Sequence, residues 1–331
     1  MSGFLKLRHH LAETHRLVQQ LHRTNSFRVA SLHSPLQALG AHRALHNSGV
    51  VTNYTVHSPF DDEIAGNSRE RSGLLKRLAI IKARRIDRSN CRRSTVVQCD
   101  SRYTLSVLQQ RYPHAVQKKG LVAPGWVDGA TFVPTGDRQR MRAQLSGPWQ
   151  TDVPVFFTLR RLENRMGLET LIEASRILKS RGQVFRTLIG GGGSLKEQLS
   201  LQIEAQELQE NVFLLGRLAE DQLPLAYAAA DCFVLPTRAL ECFGLIVLEA
   251  FACNTPVIAS NVAAIPELAE RQGKDWMFEP GNAEQLADRM QAFVEGRLRP
   301  SADLRSIAME FDKPKILAEW ERILVGEANH K

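Results

Sequence analysis

The chain has 331 residues, of which 43% are hydrophobic and 24% are charged, so it suits two globular domains of ordinary size. Its net charge of +8 is uneven, because residues 1–134 hold 20 Lys and Arg against 8 Asp and Glu, whereas residues 135–331 hold 23 against 27. No apolar run reaches the roughly 18 residues of a membrane-spanning helix, and the amphipathic start does not resemble a secretory signal, so we expect a cytoplasmic protein.

Residues 1–134 alternate helical and strand-like patterns and carry most of the basic charge. Within residues 69–93 ten basic side chains face two acids. Such a stretch fits nucleic acid, an anionic membrane surface or an acidic substrate, and a solvated basic helix face explains it equally well. The predicted strands are RVASLHS (28–34), VVTNYTVHS (50–58), STVVQCDS (94–101) and one within KKGLVAPGWVDGATFVP (118–134), and the predicted helices are 4–23, 35–47, 69–89 and 102–112.

From residue 153 strands and helices alternate regularly, which indicates right-handed crossovers and a doubly wound parallel sheet with helices on both faces. Ligands of such sheets bind beyond the carboxyl ends of the strands. Residues 134–152, with their Pro, Gly and polar content, are typical of a linker. The predicted strands are 153–159, 184–190, 211–216, 231–237, 256–260 and 276–280, and the predicted helices lie near 167–181, 194–209, 220–229, 244–253 and 282–296.

The stretch PTRALECFGLIVLEAFACNTPV (236–257) places a carboxylate, Glu249, on a helix that is otherwise apolar all round. Gly244 begins this helix, and its first turn offers unpaired N–H groups that suit a phosphate. Because helical side chains lean toward the N-terminus, Glu249 would reach the same ligand and accept from vicinal hydroxyls such as a ribose diol. Glu241 would accept from a second sugar. The alternative is that Glu249 pairs with a nearby arginine.

Two further segments flank the same predicted edge. LRRLENRMGLETLIEA (159–174) supplies Arg160, Arg161 and Arg165, which suit a diphosphate, although arginines in loops are more often only solvated. LIGGGGSLKEQL (188–199) puts four glycines between a strand and a helix and so permits close approach of a ligand, but it lacks a GxGxxG frame.

Taken together, these pieces resemble the retaining glycosyltransferases of family 4, which have the two-domain GT-B fold. The Glu-x7-Glu signature is Glu241 and Glu249, and further matches are NVFLLGRL, PVIAS…IPEL, LHSPLQALGA, YTVHSP, QCDS and APGWVDGATFVP. The resemblance implies two Rossmann-like α/β domains facing a cleft: an incomplete acceptor-side domain, 1–134, and a nucleotide-sugar-binding domain, 135–300. The last residues, 301–331, would form a helical segment that packs back across both.

The resemblance implies a role for each matching position. Glu249 would hold the nucleotide ribose and Glu241 the hydroxyls of the donor sugar. His57 would face the sugar from the N-terminal domain, although a histidine after a strand is more often structural. The other implied donor contacts are the N–H groups near Phe243, Gly244 and Leu245, the side chains of Arg161 and Arg165 at the diphosphate, Gly191 in the glycine turn, and Arg217 and Leu218 at the base.

The implied reaction moves a sugar from a nucleotide-diphosphate sugar to a glycan, lipid or small-molecule acceptor with retention of configuration. The leaving phosphate would take the acceptor's proton, so neither a protein base nor a metal or other cofactor is expected. The basic N-terminal domain would bring the enzyme to an acidic acceptor or to the inner face of an anionic membrane.

This chain departs from the family pattern at several positions. Met166 replaces a lysine, so that Arg165 would supply the cation, and Asn254, Ala263 and Ala264 stand where glycines are usual. The opening strand and glycine-rich loop are missing, which leads us to expect an N-terminal truncation of roughly 60–80 residues and an exposed sheet edge.

Other classes of function compete with the transferase interpretation. A catalytically silent nucleotide-sugar-binding relative or a gene fragment is the main alternative. A nucleic-acid-binding protein lacks a recognised motif here, and an oxidoreductase would need a cleaner glycine frame. The five cysteines form no CxxC pair, which favours reduced thiols over a zinc site.

Overall fold

The computed structural model describes residues 3–67 and 73–329. The chain divides into two compact units, one formed by residues 1–124 with 314–331 and the other by residues 125–313. The division falls at Gly125, whereas the sequence analysis places it at residue 135. The reason is that Val127 is held within the second unit, donating its N–H to the Phe311 carbonyl at 3.0 Å and accepting from the Lys313 N–H at 2.9 Å.

The first unit contains a four-stranded parallel sheet in sequential order β1-β2-β3-β4. The strand β2 is buried along its whole length, whereas β1 is partly exposed and, among the described residues, pairs only with β2. Strands and helices of this unit are β1 (Val29–Leu32), β2 (Val51–Val56), β3 (Val96–Cys99), β4 (Gly120–Val122), α1 (Gly3–Asn25), α2 (Pro35–Ala44), α3 (Phe60–Asn67), α4 (Leu74–Arg93), α5 (Arg102–Arg111) and α6 (Pro113–Val116).

The second unit contains a six-stranded parallel sheet in the order β10-β9-β8-β5-β6-β7, which is the doubly wound Rossmann order. The chain leaves β5 in one direction through β6 and β7 and returns to β8 on the other side of β5. Its elements are β5 (Val155–Leu159), β6 (Arg186–Gly190), β7 (Val212–Gly216), β8 (Cys232–Leu235), β9 (Val257–Ser260), β10 (Met277–Phe278), α7 (Arg138–Gln144), α8 (Leu168–Ser180), α9 (Lys196–Ala205), α10 (Gln222–Ala229), α11 (Leu245–Ala252), α12 (Ile265–Ala269), α13 (Ala283–Val294) and α14 (Leu304–Met309).

These sheets confirm the predicted α/β class with two parallel Rossmann-like units. The edge strands β1, β4 and β7 are only partly buried. Apolar runs bounded by polar residues form the central strands, because helices on both faces of a parallel sheet bury those strands on both sides. In β5, for example, Phe156 and Phe157 are fully buried and pair in register with Cys232 and Phe233 of β8. Within the described residues no helix is both long enough and apolar enough to cross a membrane.

The prediction of a linker over residues 134–152 is wrong for most of that segment. It contains α7 and a short 3-10 helix, Gly147–Trp149. Arg142 is buried, donates to the carbonyl oxygens of Ala229 and Thr151, and forms an ion pair with Asp231, while Trp149 packs against Phe157. Composition suggested a linker because two partners of Arg142, Ala229 and Asp231, lie 87 and 89 residues further along the sequence.

The C-terminal segment is shared between the two units. Residues 301–313 belong to the second unit, whereas residues 314–331 group with the first. The last helix, α15 (Lys313–Asn329), is held there by the Trp320 indole, which donates to the Pro124 carbonyl at 3.2 Å. The expected helical segment 301–331 therefore divides at Pro314.

Candidate functional site

Two loops meet at the switch point of the second sheet, where β5 and β8 are neighbours. One loop follows β5 and the other follows β8. The Arg238 N–H donates to the Arg165 carbonyl at 2.8 Å, and the Arg165 guanidinium donates to the Leu240 carbonyl at 2.8 Å. These bonds bring the predicted arginine segment and the first glutamate of the Glu-x7-Glu pair to one end of the sheet, which is where Rossmann-like folds bind ligands.

Glu241 is paired with Arg160. The Arg160 Nη2 donates to Glu241 Oε2 at 2.8 Å and to Thr237 Oγ1 at 3.0 Å. The Arg160 side chain is only 9% exposed, and its Nε is buried with no acceptor among the described residues. A buried donor without a partner is costly, and in this conformation the Arg160 Nε has no surface that a ligand atom could reach. The residue pattern includes Arg160 among the arginines that suit a diphosphate, whereas the family resemblance implies that contact only for Arg161 and Arg165.

The two assigned arginines differ in their surroundings. Arg161 is exposed, and its side chain forms no hydrogen bond or ion pair with any residue that the structure describes. Arg165 is half-buried, and burial, together with the neighbouring charges of Arg161 and Arg160, lowers the pKa of its guanidinium. Met166, where the family usually has a lysine, is buried in the core. Three arginines therefore concentrate positive charge beside Glu241.

Glu249 lies in the second turn of α11 and is held by a tyrosine. The Tyr227 hydroxyl donates to Glu249 Oε2 at 2.6 Å, and burial raises the pKa of the Glu249 carboxyl. No arginine among the described residues pairs with Glu249, so the alternative of a structural ion pair is wrong. Its other oxygen, Oε1, has no donor within the described part of the chain.

The start of α11 offers unpaired backbone donors. Gly244 takes a left-handed conformation with a φ of 93°, and the N–H groups of Phe243, Gly244 and Leu245 find no acceptor among the described residues. The Phe243 ring packs against Phe311, whereas the Leu245 side chain is 45% exposed. These three positions therefore contribute to the site through their backbone, as an anion-binding helix N-terminus does.

The glycine turn fixes the arginine loop. A Cβ on Gly191, whose φ is 125°, would lie 1.9 Å from the Arg160 carbonyl oxygen, and one on Gly193 would lie 2.5 Å from the Leu162 carbonyl oxygen. These glycines are thus required by backbone packing against the loop that carries Arg160. Arg217 is exposed beside the turn, and Leu218 is partly buried; both line one groove.

His57 lies in the first unit, in a chain of hydrogen bonds at the ends of β1, β2 and β3. Its Nδ1 lies 2.8 Å from Asp100 Oδ2, and its Nε2 lies 3.0 Å from Nδ1 of His33. The far ring nitrogen of His33 lies 3.0 Å from the Ser31 hydroxyl. The hydrogen bond to Asp100 raises the pKa of His57, whereas burial and then the charge of His57 lower that of His33.

Sequence reasoning missed three members of this chain, Ser31, His33 and Asp100. A signal was available, because the three strands end in the similar segments LHS, VHS and CDS. Parallel neighbouring strands end at one edge of a sheet, which places the histidines and the aspartate together. These hydrogen bonds engage both ring nitrogens of His57.

The second unit thus combines a helix N-terminus whose N–H groups find no acceptor among the described residues, a cluster of arginines and a largely buried carboxylate on a Rossmann-like sheet. The family model "Glycosyl transferases group 1" matches residues 139–310, which include all of these elements. The chain belongs to that family.

Several known proteins are similar to this chain. The amylovoran biosynthesis glycosyltransferase AmsK of Erwinia amylovora is 34% identical over 144 residues, which are 42% of this chain and 35% of that protein. The D-inositol 3-phosphate glycosyltransferase of Corynebacterium jeikeium is 33% identical over 220 residues, which are 63% of this chain and 50% of that protein. The chain thus spans half or less of these two curated relatives.

Solved structures share the fold over nearly the whole chain. Sucrose-phosphate synthase from Thermosynechococcus elongatus superposes with a TM-score of 0.81 at 19% identity, covering 97% of this chain and 79% of that one. Anabaena Alr3699/HepE in complex with UDP gives a TM-score of 0.76 at 19% identity, covering 95% and 82%. At these identities the likeness establishes the GT-B type of fold.

Proposed function

We propose that the protein transfers a sugar from a nucleotide-diphosphate sugar to an acceptor with retention of configuration. The observation that carries this proposal is the set of unpaired N–H groups at residues 243–245, which begin the helix that carries Glu249. A diphosphate would satisfy those donors, and Glu249 Oε1 is available to a ribose hydroxyl. The complexes of Anabaena HepE with UDP and with UDP-glucose support the same type of donor.

The side chains around the helix would act on the leaving group. Negative charge grows on the departing diphosphate in the transition state, and the guanidinium groups of Arg161 and Arg165 would stabilise it. Removing one such preorganised donor typically costs about 3 kcal/mol of barrier. Glu241, held by Arg160, would accept from hydroxyls of the donor sugar, and Arg217 with Leu218 would border the base. Gly191 would hold the loop that positions Arg160.

The proposal assigns the acceptor's proton to the leaving phosphate and needs no metal or other cofactor. Transfer is therefore expected to persist in EDTA, and loss of activity that Mg²⁺ restores would contradict this part. For the basic first unit we propose an anionic partner, either an acidic acceptor or the inner face of an anionic membrane.

Calorimetric titration of the whole chain with UDP, GDP and ADP tests the donor site. We expect one nucleotide to bind and Glu249→Gln, which keeps the shape of the side chain, to weaken that binding at least tenfold. The matched control is Glu267→Gln, a glutamate near the start of α12. If none of the three nucleotides bound to the folded chain, the proposal would fail.

One observation favours a second candidate, a silent relative that binds a nucleotide sugar without turnover. Both ring nitrogens of His57 are engaged within the first unit, so a contact to the sugar would require one of those bonds to break. Measuring donor hydrolysis and transfer alongside calorimetry separates the two, because the silent relative binds nucleotide and releases no sugar.

A further inference from the structure

The helix α4 exposes apolar side chains on the face that points away from the core. Its buried residues, among them Ala83, Ile86 and Asn90, define the inner face. Leu74, Leu78 and Ile81 follow at intervals of four and three, so at 100° per residue they lie on the opposite side. They are 71%, 52% and 46% exposed, and Leu75 at the margin of this stripe is 68% exposed.

Beyond Ile81 the same outward face of α4 carries arginines instead of apolar side chains. Arg85, Arg88 and Arg92 extend it at helical spacing, and Arg77 flanks its apolar half. None of these four forms an ion pair with an acid in the part of the chain that the structure describes. A surface helix normally presents polar residues here; this one presents leucines over its first turns and unpaired positive charge over its later ones.

The acidic residue of α4, Asp87, does not lie on the outward face of the helix. Asp87 is fully buried, accepts from the Tyr54 hydroxyl at 2.7 Å and accepts from the Phe60 N–H at 2.7 Å. Burial raises its pKa to about 6. The outward stripe therefore has no carboxylate to repel an anion, while eight lysines and arginines lie along α4 as a whole.

We infer that the outward stripe of α4, defined as Leu74, Leu75, Leu78, Ile81, Arg85, Arg88 and Arg92, docks on an anionic membrane surface. The leucines would enter the boundary between headgroups and acyl chains, and the arginines would contact lipid phosphates, as interfacial amphipathic helices do. This names the anionic partner proposed above for the first unit and does not depend on nucleotide binding.

Other occupants fit these residues less well. Nucleic acid would satisfy the arginines but would gain nothing from four exposed aliphatic side chains. A second copy would bring one basic stripe against another, with like charges opposed. A membrane satisfies both halves of the stripe at once.

Co-sedimentation of the whole chain with vesicles tests the inference. We expect retention by vesicles of phosphatidylcholine with phosphatidylglycerol, little retention by phosphatidylcholine alone, and release at high salt. Leu74→Ser with Leu75→Ser and Leu78→Ser should weaken binding to the anionic vesicles about tenfold or more. Arg85→Gln with Arg88→Gln should weaken it at low salt.

The matched control is Leu17→Ser with Leu21→Ser, which changes two exposed leucines of α1 (54% and 45% exposed) outside the stripe. This control should stay within about twofold of the wild type. Unchanged binding of the leucine triple variant, or failure of the wild type to bind anionic vesicles, would overturn the inference. So would a dimer in solution that the triple variant converts to monomer, since the stripe would then cover a second copy.

Nucleotide titration of the same variants keeps the two proposals separate. If vesicles retain a chain that binds none of the nucleotides, the donor proposal fails and the docking inference stands. If the chain binds a nucleotide but vesicles do not retain it, the docking inference fails and the donor proposal stands.

Discussion

The hydroxyl of Tyr227 donates a 2.6 Å hydrogen bond to Oε2 of Glu249, and this bond sets the direction of the carboxylate. Tyr227 is fully buried in α10, with its ring centroid 5.7 Å from Phe157 and 5.3 Å from Phe233. A ring fixed on several sides holds its hydroxyl in one place. Burial raises the pKa of the Glu249 carboxyl, whereas the hydrogen bond from Tyr227 opposes that rise.

Replacing Tyr227 with phenylalanine should weaken nucleotide binding about tenfold at neutral pH. The change removes one hydrogen bond to a charged group, worth roughly 1.5–3 kcal/mol, while the ring stays in its aromatic cluster. Calorimetry measures the effect. The control is Tyr112→Phe, since the buried Tyr112 hydroxyl has no partner among the described residues and lies in the first unit. Equal affinity of Tyr227→Phe and the wild type would show that Glu249 needs no support.

Neighbouring arginines should respond differently to truncation. Arg160→Ala leaves Glu241 without its cation and should destabilise the fold by about 3 kcal/mol, because it breaks a largely buried ion pair. Arg161→Ala should change stability by less than about 0.5 kcal/mol, since its side chain is exposed. Urea unfolding measures both. If Arg161→Ala then weakens nucleotide binding in a stable protein, the loss reflects direct contact with the ligand; equal stability of both variants would contradict the structural difference.

The sequence does not show which of Arg160 and Arg161 points into the fold. The strands of the second sheet were predicted within about two residues at most ends, because each is an apolar run with polar ends. Glu249 stood out as a carboxylate on an otherwise apolar helix, and the family resemblance joined it with Glu241 as one signature. Which of two consecutive arginines turns inward depends on the backbone direction after β5, since successive side chains of an extended chain point to opposite sides.

The role of Tyr227 as the partner of Glu249 could not be predicted from the sequence, for a related reason. It precedes Glu249 by 22 residues in the sequence, inside a segment of alanine and leucine whose periodicity marks only burial. No local pattern says which buried hydroxyl faces which carboxylate, because that is decided by the packing of α10 on α11. The same applies to His33, which is one of ten histidines until the register of β1 and β2 places it beside His57.

Ala263 stands where the family usually has glycine and still takes a left-handed conformation, with a φ of 54°. Asn254 does the same at 57°, but asparagine tolerates this conformation better than alanine. Ala263→Gly should therefore stabilise the protein by about 1 kcal/mol, as the strain is relieved. Thermal unfolding followed by circular dichroism measures it.

The neighbouring alanine gives a matched control. Ala264 has a φ of −86° and is fully buried, and its N–H donates to the Glu241 carbonyl at 3.1 Å. Ala264→Gly should destabilise the protein by about 1 kcal/mol, since it adds freedom to the unfolded chain and removes a packed methyl group. A loss of stability in both variants would mean that Ala263 is not strained.

Asp100 should control the protonation of His57. The hydrogen bond from His57 Nδ1 to Asp100 is the main cause of the raised pKa of His57. Asp100→Asn should therefore lower that pKa, as an NMR titration of the His57 ring proton would show. Asp137→Asn, in the second unit, is the control and should leave it unchanged. If Asp100→Asn left the pKa of His57 in place, the chain of hydrogen bonds would not form in solution.

His42 should make the first unit sensitive to acid. It is buried against Ser94, and burial, with the charges of Arg93 and Lys119, lowers its pKa from 6.5 to about 4. In the unfolded chain this histidine takes up a proton below about pH 6.5, whereas in the folded chain it stays neutral down to about pH 4. The stability that neutral His42 contributes is therefore complete above pH 6.5 and is lost as the pH falls toward 4.

The difference between the two pKa values corresponds to about 3 kcal/mol. His42→Gln removes the titrating group while keeping an amide that can bond to Ser94, so the variant should lack this part of the acid sensitivity. Chemical unfolding at about pH 7 and about pH 4 measures it: the stability of the wild type relative to the variant should fall by about 3 kcal/mol between the two. A constant difference would mean that His42 is accessible to protons in the folded state, and that the packing around Ser94 is looser than the structure describes.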